Sequence, residues 1–172
     1  MRSIVFALVL ALLPVPAFAA APPEIAPYIK ASAPYGTARL TKLVFKVYDA
    51  TLWTDAVSFS MKKPFALRLQ YLMNFDGDDL AQRSIDEMDG QEQLDKTTAA
   101  VWQAQLEKLF PDVKKGDHIT AIYLPAKGTR LYYNGKFRGS ISDPVFSERF
   151  IDIWMSPKTS EREVRRRLLA KE

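Results

Sequence analysis

Apolar and polar residues fall into two rhythms along this chain. Between residues 37 and 53, Val, Phe, Tyr, Thr and Trp dominate, and Leu43, Phe45 and Val47 alternate with Lys42, Lys46 and Tyr48. That is strand patterning, long enough for two strands with a bend near Asp49-Ala50. Pro64 opens another alternating run, Leu67, Leu69, Tyr71 and Met73 against Arg68 and Gln70. A sheet built this way buries one face. After Asn74 the rhythm changes to a helical one. Asp78 and Asp79 are placed to cap a helix running to about Gln91, with Leu80, Ile85 and Met88 inward. A second helix spans about 94–110, with apolar residues at 94, 101, 102, 106, 109 and 110, and Pro111 ends it. Strands return at 117–124, 129–133 and 136–141, the last two joined by Asn134-Gly135, a strong two-residue hairpin signal. Ser142-Asp143-Pro144 starts a helix whose stripe is Phe146, Phe150, Ile153 and Trp154. Residues 159–163 resemble a capping box at the head of a final helix. This order predicts an α+β fold, helices against one face of a largely antiparallel sheet.

The N-terminus reads as an address. Arg2 precedes an unbroken apolar run, residues 4–13, which Pro14 and Pro16 end before Ala17-Phe18-Ala19. A charged start, a short apolar stretch and an A-x-A site describe a secretory signal peptide, cut after Ala19. A spanning helix needs about 20 apolar residues. The expected organisation is a signal peptide over 1–19, a proline-rich spacer over 20–35 with one short helical turn near 25–30, and a single domain over 36–170. The expected location is periplasmic or secreted.

Composition narrows the chemistry. The 172 residues hold no cysteine and one histidine, which excludes a disulfide framework, a cysteine nucleophile, iron–sulfur clusters and His-rich metal sites. The 24 basic and 20 acidic residues give +4, far from the basic stripe of a nucleic-acid binder. No nucleic acid, metal or cofactor is expected. His118, beside Asp117, reads as a strand-edge histidine rather than a general base. The acidic run Asp76, Asp78, Asp79, Asp86, Glu87 and Asp89 lacks EF-hand spacing and reads as helix-dipole complement. Gly128, Gly135 and Gly139 read as hairpin glycines. Arg162 and Arg165 to Arg167 form a basic helix end, which complements a helix dipole and could touch a membrane surface.

The aromatic content is the most telling feature. Tyr48, Trp53, Tyr71, Trp102, Tyr123, Tyr132, Tyr133 and Trp154 are many large rings for one small domain. A sheet face lined by such rings and covered by helices can enclose an apolar pocket with few polar anchors. The candidate ligand-binding residues are Arg39 as the polar anchor and Tyr48 and Tyr71 as lining; no catalytic residue is assigned.

Several separated blocks resemble one family. Lys46-Val47-Tyr48-Asp49-Ala50-Thr51-Leu52-Trp53, Phe110-Pro111-Asp112-Val113-Lys114-Lys115-Gly116-Asp117, Tyr133-Asn134-Gly135 and Phe150-Ile151-Asp152-Ile153-Trp154-Met155-Ser156-Pro157-Lys158-Thr159-Ser160 are similar to bacterial chalcone isomerase-like proteins. The resemblance spans about 36–169. It implies an open-faced β-sandwich, a large antiparallel sheet with helices on one face. It also implies one of two functions: cofactor-free closure of a chalcone to a flavanone, or fatty-acid binding. In the enzymes a strand threonine, a helix tyrosine and a helix asparagine assist cyclisation. Leu43, Leu80 and Glu87 stand at the resembling positions, and Arg39 resembles the family arginine if a gap is allowed. Losing those hydroxyl donors and adding a negative charge disfavours an anionic transition state. The expectation is therefore an exported protein that binds a small apolar or fatty-acid-like ligand without cyclising a chalcone. The alternatives are a cofactor-free intramolecular lyase or isomerase acting on an enone-like substrate, and a periplasmic accessory module for a membrane or protein partner.

Overall fold

The structure is a computed structural model and describes residues 21–170. The expected signal peptide and its cleavage site lie outside the described residues. Six strands form one antiparallel sheet in sequence order: β1 (Gly36–Lys42), β2 (Phe45–Thr54), β3 (Phe65–Tyr71), β4 (His118–Leu124), β5 (Gly128–Tyr133) and β6 (Lys136–Ile141). Between β3 and β4 the chain leaves the sheet to form α1 (Gly77–Gln91) and α2 (Lys96–Leu109). After β6 it forms α3 (Pro144–Met155) and α4 (Arg162–Leu168). All four helices contribute to the main core, which fills the space between them and one face of the sheet. This is the expected α+β, open-faced architecture.

Two details of the first hairpin differ from expectation. The bend is not at Asp49-Ala50, where β2 runs unbroken and pairs with β1 and β3 on either side. The chain turns instead at Leu43 and Val44, with Leu43 in the left-handed region at φ 55°. Neither residue is a usual turn former, so the sequence there carries no turn signal. The inward set is also a mixed one, because Val47 and Phe45 border the same cavity as Tyr48 while Leu43 does not. Tyr48, Ala50 and Leu52 are buried, whereas Leu43 and Phe45 are exposed. The pairing register shifts between Leu40 and Thr41, and a bulge of this kind changes which residues share a face.

Elsewhere local chemistry explains the boundaries. Asn134 and Gly135 have φ of 47° and 78°, the paired positive values that a two-residue hairpin turn requires. Asp143 caps α3 by accepting from the backbone N–H groups of Val145 and Phe146, ahead of Pro144. Asp95 caps α2 through Thr98 N–H. The start of α1 is held differently from expectation: Gly77 N–H donates to Asp112 Oδ1 at 2.9 Å, a contact made across the fold. The expected capping box before α4 does not form. Thr159 Oγ1 donates to the Ile153 carbonyl at 2.5 Å and accepts from Glu161 N–H, which ties the loop to α3 instead. Gly36 is needed where α4 crosses β1, because a Cβ there would lie 2.0 Å from the Leu168 carbonyl oxygen.

The proline-rich stretch expected as a spacer lies on the sheet's other face. Its short turn, closed by Ile29 N–H to the Ile25 carbonyl, presses Ile25 and Ile29 against Trp53, Ala66 and Ile122. Burying each isoleucine is worth about 2 kcal/mol. Glu24 is buried beside them and bonds Arg68 at 2.8 Å and Thr120 at 2.9 Å.

Candidate functional site

Between the β1–β3 end of the sheet and α1 lies a cavity of about 750 Å³, within the usual range for small-molecule sites of roughly 300–1,000 Å³. Its walls are Leu40, Val47 and Leu69 from the strands, Phe75 and Phe110 from loops, Leu80 from α1 and Ile153 from α3. It opens beside the β1–β2 hairpin, where Lys42, Phe45 and Met73 meet Asp79, Arg83, Glu87 and Glu161.

Tyr48 and Tyr71 face each other as a cross-strand pair of β2 and β3. Both line the cavity, and their rings meet edge to face with centroids 6.5 Å apart. Tyr48 Oη accepts from Trp154 Nε1 at 3.0 Å. Neither phenolic O–H has an acceptor among the described residues. Burial pushes both phenols well above their ordinary 10. For Tyr48 the Trp154 bond opposes that shift, and the charges of Glu161 and Glu87 add to it. Both groups therefore stay protonated: they can donate to a ligand oxygen, and they supply no base.

The mouth carries two ion pairs with a consistent polarity. Lys42 Nζ meets Glu161 at 2.5 Å, and Arg83 pairs with Glu87, four residues on along α1. The carboxylates face inward, with side chains 10% and 12% exposed, and the cations face outward at 53% and 63%. Ser160 Oγ donates to the second Glu87 oxygen at 2.7 Å.

The structure thus brings Tyr48 and Tyr71 together and leaves Arg39 out. Arg39 does not line the cavity. It neighbours Leu40 on the opposite side of β1 and is spent in a paired bond to Asp49, Nε–Oδ1 2.6 Å and Nη2–Oδ2 2.8 Å. That carboxylate holds the exposed guanidinium above its ordinary value. Strand alternation is the reason, since Leu40 takes the inward position. Leu43 also lies outside the cavity, exposed at the hairpin tip, whereas Leu80 and Glu87 do line it. Sequence reasoning missed Lys42, Arg83 and Glu161. Arg83 was findable, because positions 80, 83, 84 and 87 share one helix face. Lys42 and Glu161 were not, because only the tertiary fold joins β1 to the α3–α4 loop.

The other candidate groups lie away from this cavity. The side chain of His118 sits on the outer side of the sheet, where burial, then Arg68, pulls its pKa below 6.5. Arg166 and Arg167 both bond Glu163, and Arg165 donates to the Met155 carbonyl, so these arginines of the basic helix end are engaged.

An antiparallel sheet covered on one face by helices, with a tyrosine-lined apolar cavity between the layers, is an open-faced β-sandwich built around a ligand-sized space. A chalcone isomerase-like family model matches residues 35–170, and the chain belongs to that family. It is 27% identical over 139 residues to an uncharacterized protein of Haemophilus influenzae, covering 80% of this chain and 68% of that one. Its fold is similar to that of an Arabidopsis thaliana fatty-acid binding protein, with a TM-score of 0.60 over 80% of this chain and 86% of that one, at 9% identity. At that identity the likeness is one of fold.

Proposed function

We propose that this protein binds a small amphipathic molecule with a long apolar part, of the fatty-acid type, and holds it without transforming it. The observation that carries the reading is the cavity itself: about 750 Å³, walled by aliphatic and aromatic side chains, with two protonated phenols whose donors are unspent. The apolar walls would take the chain, and the phenols would take an oxygen of its head. The similar fold of a plant fatty-acid binding protein supports the choice of ligand class. Leu80 and Glu87 support binding over cyclisation, because they stand where the resemblance places a tyrosine and an asparagine. Glu87 in addition brings a carboxylate to the place where an anion would develop. Export to the periplasm or beyond is part of the proposal and rests on the pattern of residues 1–19.

Purifying the protein under native conditions and identifying extracted small molecules by mass spectrometry tests this reading. Near-stoichiometric recovery of an acyl-chain compound is the expected result. Finding none, together with no uptake of a fluorescent fatty-acid analogue, would overturn it.

A further inference from the structure

The tip of the β1–β2 hairpin is an apolar point that none of the described residues covers. Leu43, Val44 and Phe45 are 94%, 83% and 60% exposed. Leu43 holds a left-handed backbone conformation that leucine disfavours, and its side chain gains no packing in return. Cations surround this point. Lys42 and Lys46 flank it in sequence, and Lys115, Lys46 and Arg39 share a surface depression with Val44, Phe45 and Met73. Arg39 and Lys42 have carboxylate partners, but Lys46 and Lys115 make no ion pair among the described residues. Phe45 and Met73 belong both to this patch and to the cavity mouth.

We propose that the hairpin tip inserts into the headgroup region of an anionic lipid bilayer and seats the cavity mouth on that surface. Apolar side chains ringed by lysines match an anionic interface in both respects: the tip reaches the acyl boundary while the cations stay among the phosphates. A second copy or a folded partner fits less well, because three protruding side chains fall far short of the roughly 800 Å² per partner that a stable interface buries. The basic end of α4 is a weaker candidate, because Arg165, Arg166 and Arg167 are engaged within the fold. Docking itself does not depend on the ligand reading. Its consequence does: with Phe45 and Met73 common to both surfaces, an acyl chain would pass between bilayer and cavity without crossing water.

Sedimentation with phosphatidylglycerol-containing vesicles tests the docking, using the full chain as expressed and processed, with a shared N-terminus verified by mass spectrometry. The parent should bind these vesicles and bind pure phosphatidylcholine vesicles much more weakly. The double variant Leu43→Asn, Val44→Ser should lose binding about tenfold or more; asparagine tolerates the left-handed position, and neither residue lines the cavity. Lys46→Glu with Lys115→Glu should lose a similar amount, and the parent's binding should weaken with added salt. Val57→Ser, which removes an apolar residue 96% exposed elsewhere, should bind as the parent does. Undiminished binding by the tip variants, no binding by the parent, or self-association through the tip without vesicle binding would each overturn the proposal. Titrating a fluorescent fatty-acid analogue without vesicles separates the two readings. Tip variants should retain the analogue, and its failure to bind the parent would sink the ligand reading while leaving the docking result to stand alone.

Discussion

The indole N–H of Trp154 donates to the phenolic oxygen of Tyr48 at 3.0 Å in the interior, joining α3 to β2 behind the cavity. Tyr71, opposite Tyr48 in the sheet, has no such partner among the described residues. The two phenols should therefore differ in what they contribute to stability, with Tyr71 serving binding alone. Tyr48→Phe strands a buried donor and should cost about 1–3 kcal/mol in urea unfolding. Tyr71→Phe breaks no internal hydrogen bond and should change stability by less than about 0.5 kcal/mol. It should instead weaken binding of an acyl probe by roughly two- to tenfold, the worth of one hydrogen bond. If both variants lose stability equally and neither affects binding, the assignment of Tyr71 to the ligand is wrong.

Much of this arrangement was legible in the sequence. Alternation in β3 placed Leu67, Leu69 and Tyr71 inward, the Asn134-Gly135 turn set β5 against β6, and the stripe of α3 is buried as its spacing required. The first hairpin was not legible, because its turn is made by Leu43 and Val44 without glycine or asparagine. Misplacing that turn mattered less for Tyr48, whose aromatic character marked it for the cavity, than for Arg39. An arginine among strand residues has two faces to choose from. The neighbour that decided the choice, Asp49, is its cross-strand partner in β2, a register that depends on where the turn falls.

The inward-facing carboxylates at the mouth predict which heads bind best. A free fatty acid at neutral pH brings its negative charge toward Glu161 and Glu87, while the paired cations lie outside them. Neutralising Glu161, as Glu161→Gln, should tighten binding of an anionic acyl probe by about threefold or more, and should leave a neutral acyl alcohol or ester within about twofold. Side-by-side titrations of the two probe types check this. Equal responses from both would show that the head does not approach this carboxylate.

Filling the cavity should abolish binding without unfolding the protein. Leu80 projects from α1 into the space and is only partly buried. Leu80→Trp adds bulk into existing volume rather than into close packing, so the usual overpacking cost of about 1–3 kcal/mol should be small or absent. Acyl-probe uptake should fall at least tenfold with the thermal midpoint preserved. A collapsed midpoint would mean that the space is not free to be filled.

On the sheet's other face, Arg68 is the one cation among the described residues that pairs with buried Glu24, whose side chain is 2% exposed. Arg68→Ala should destabilise the fold by about 3 kcal/mol, because it leaves a buried carboxylate without its counter-charge. Replacing both residues by neutral ones should cost less than this single change. A double variant as unstable as Arg68→Ala, or more so, would contradict the pairing account.

The same arginine should govern the response to acid. Burial alone would push the Glu24 carboxyl up, but hydrogen bonds from Arg68, its own backbone and Thr120, with the Arg68 charge, hold it below its ordinary 4.5. A depressed carboxyl contributes stability that is fully present above about pH 4.5 and is lost as pH falls through the folded value. For His118, burial first and Arg68 second hold the folded pKa below 6.5. The unfolded chain therefore takes up this proton first, and stability begins to fall as pH drops below about 6.5. Two successive losses are expected on acidification, measurable as urea midpoints at pH 7.5, 5.5 and 3. His118→Gln should remove the first and Glu24→Gln the second. Arg68→Ala should flatten both while starting from a lower midpoint, because it withdraws one cause of each shift. If its acid slope is instead as steep as the parent's, the acid response arises elsewhere in the molecule.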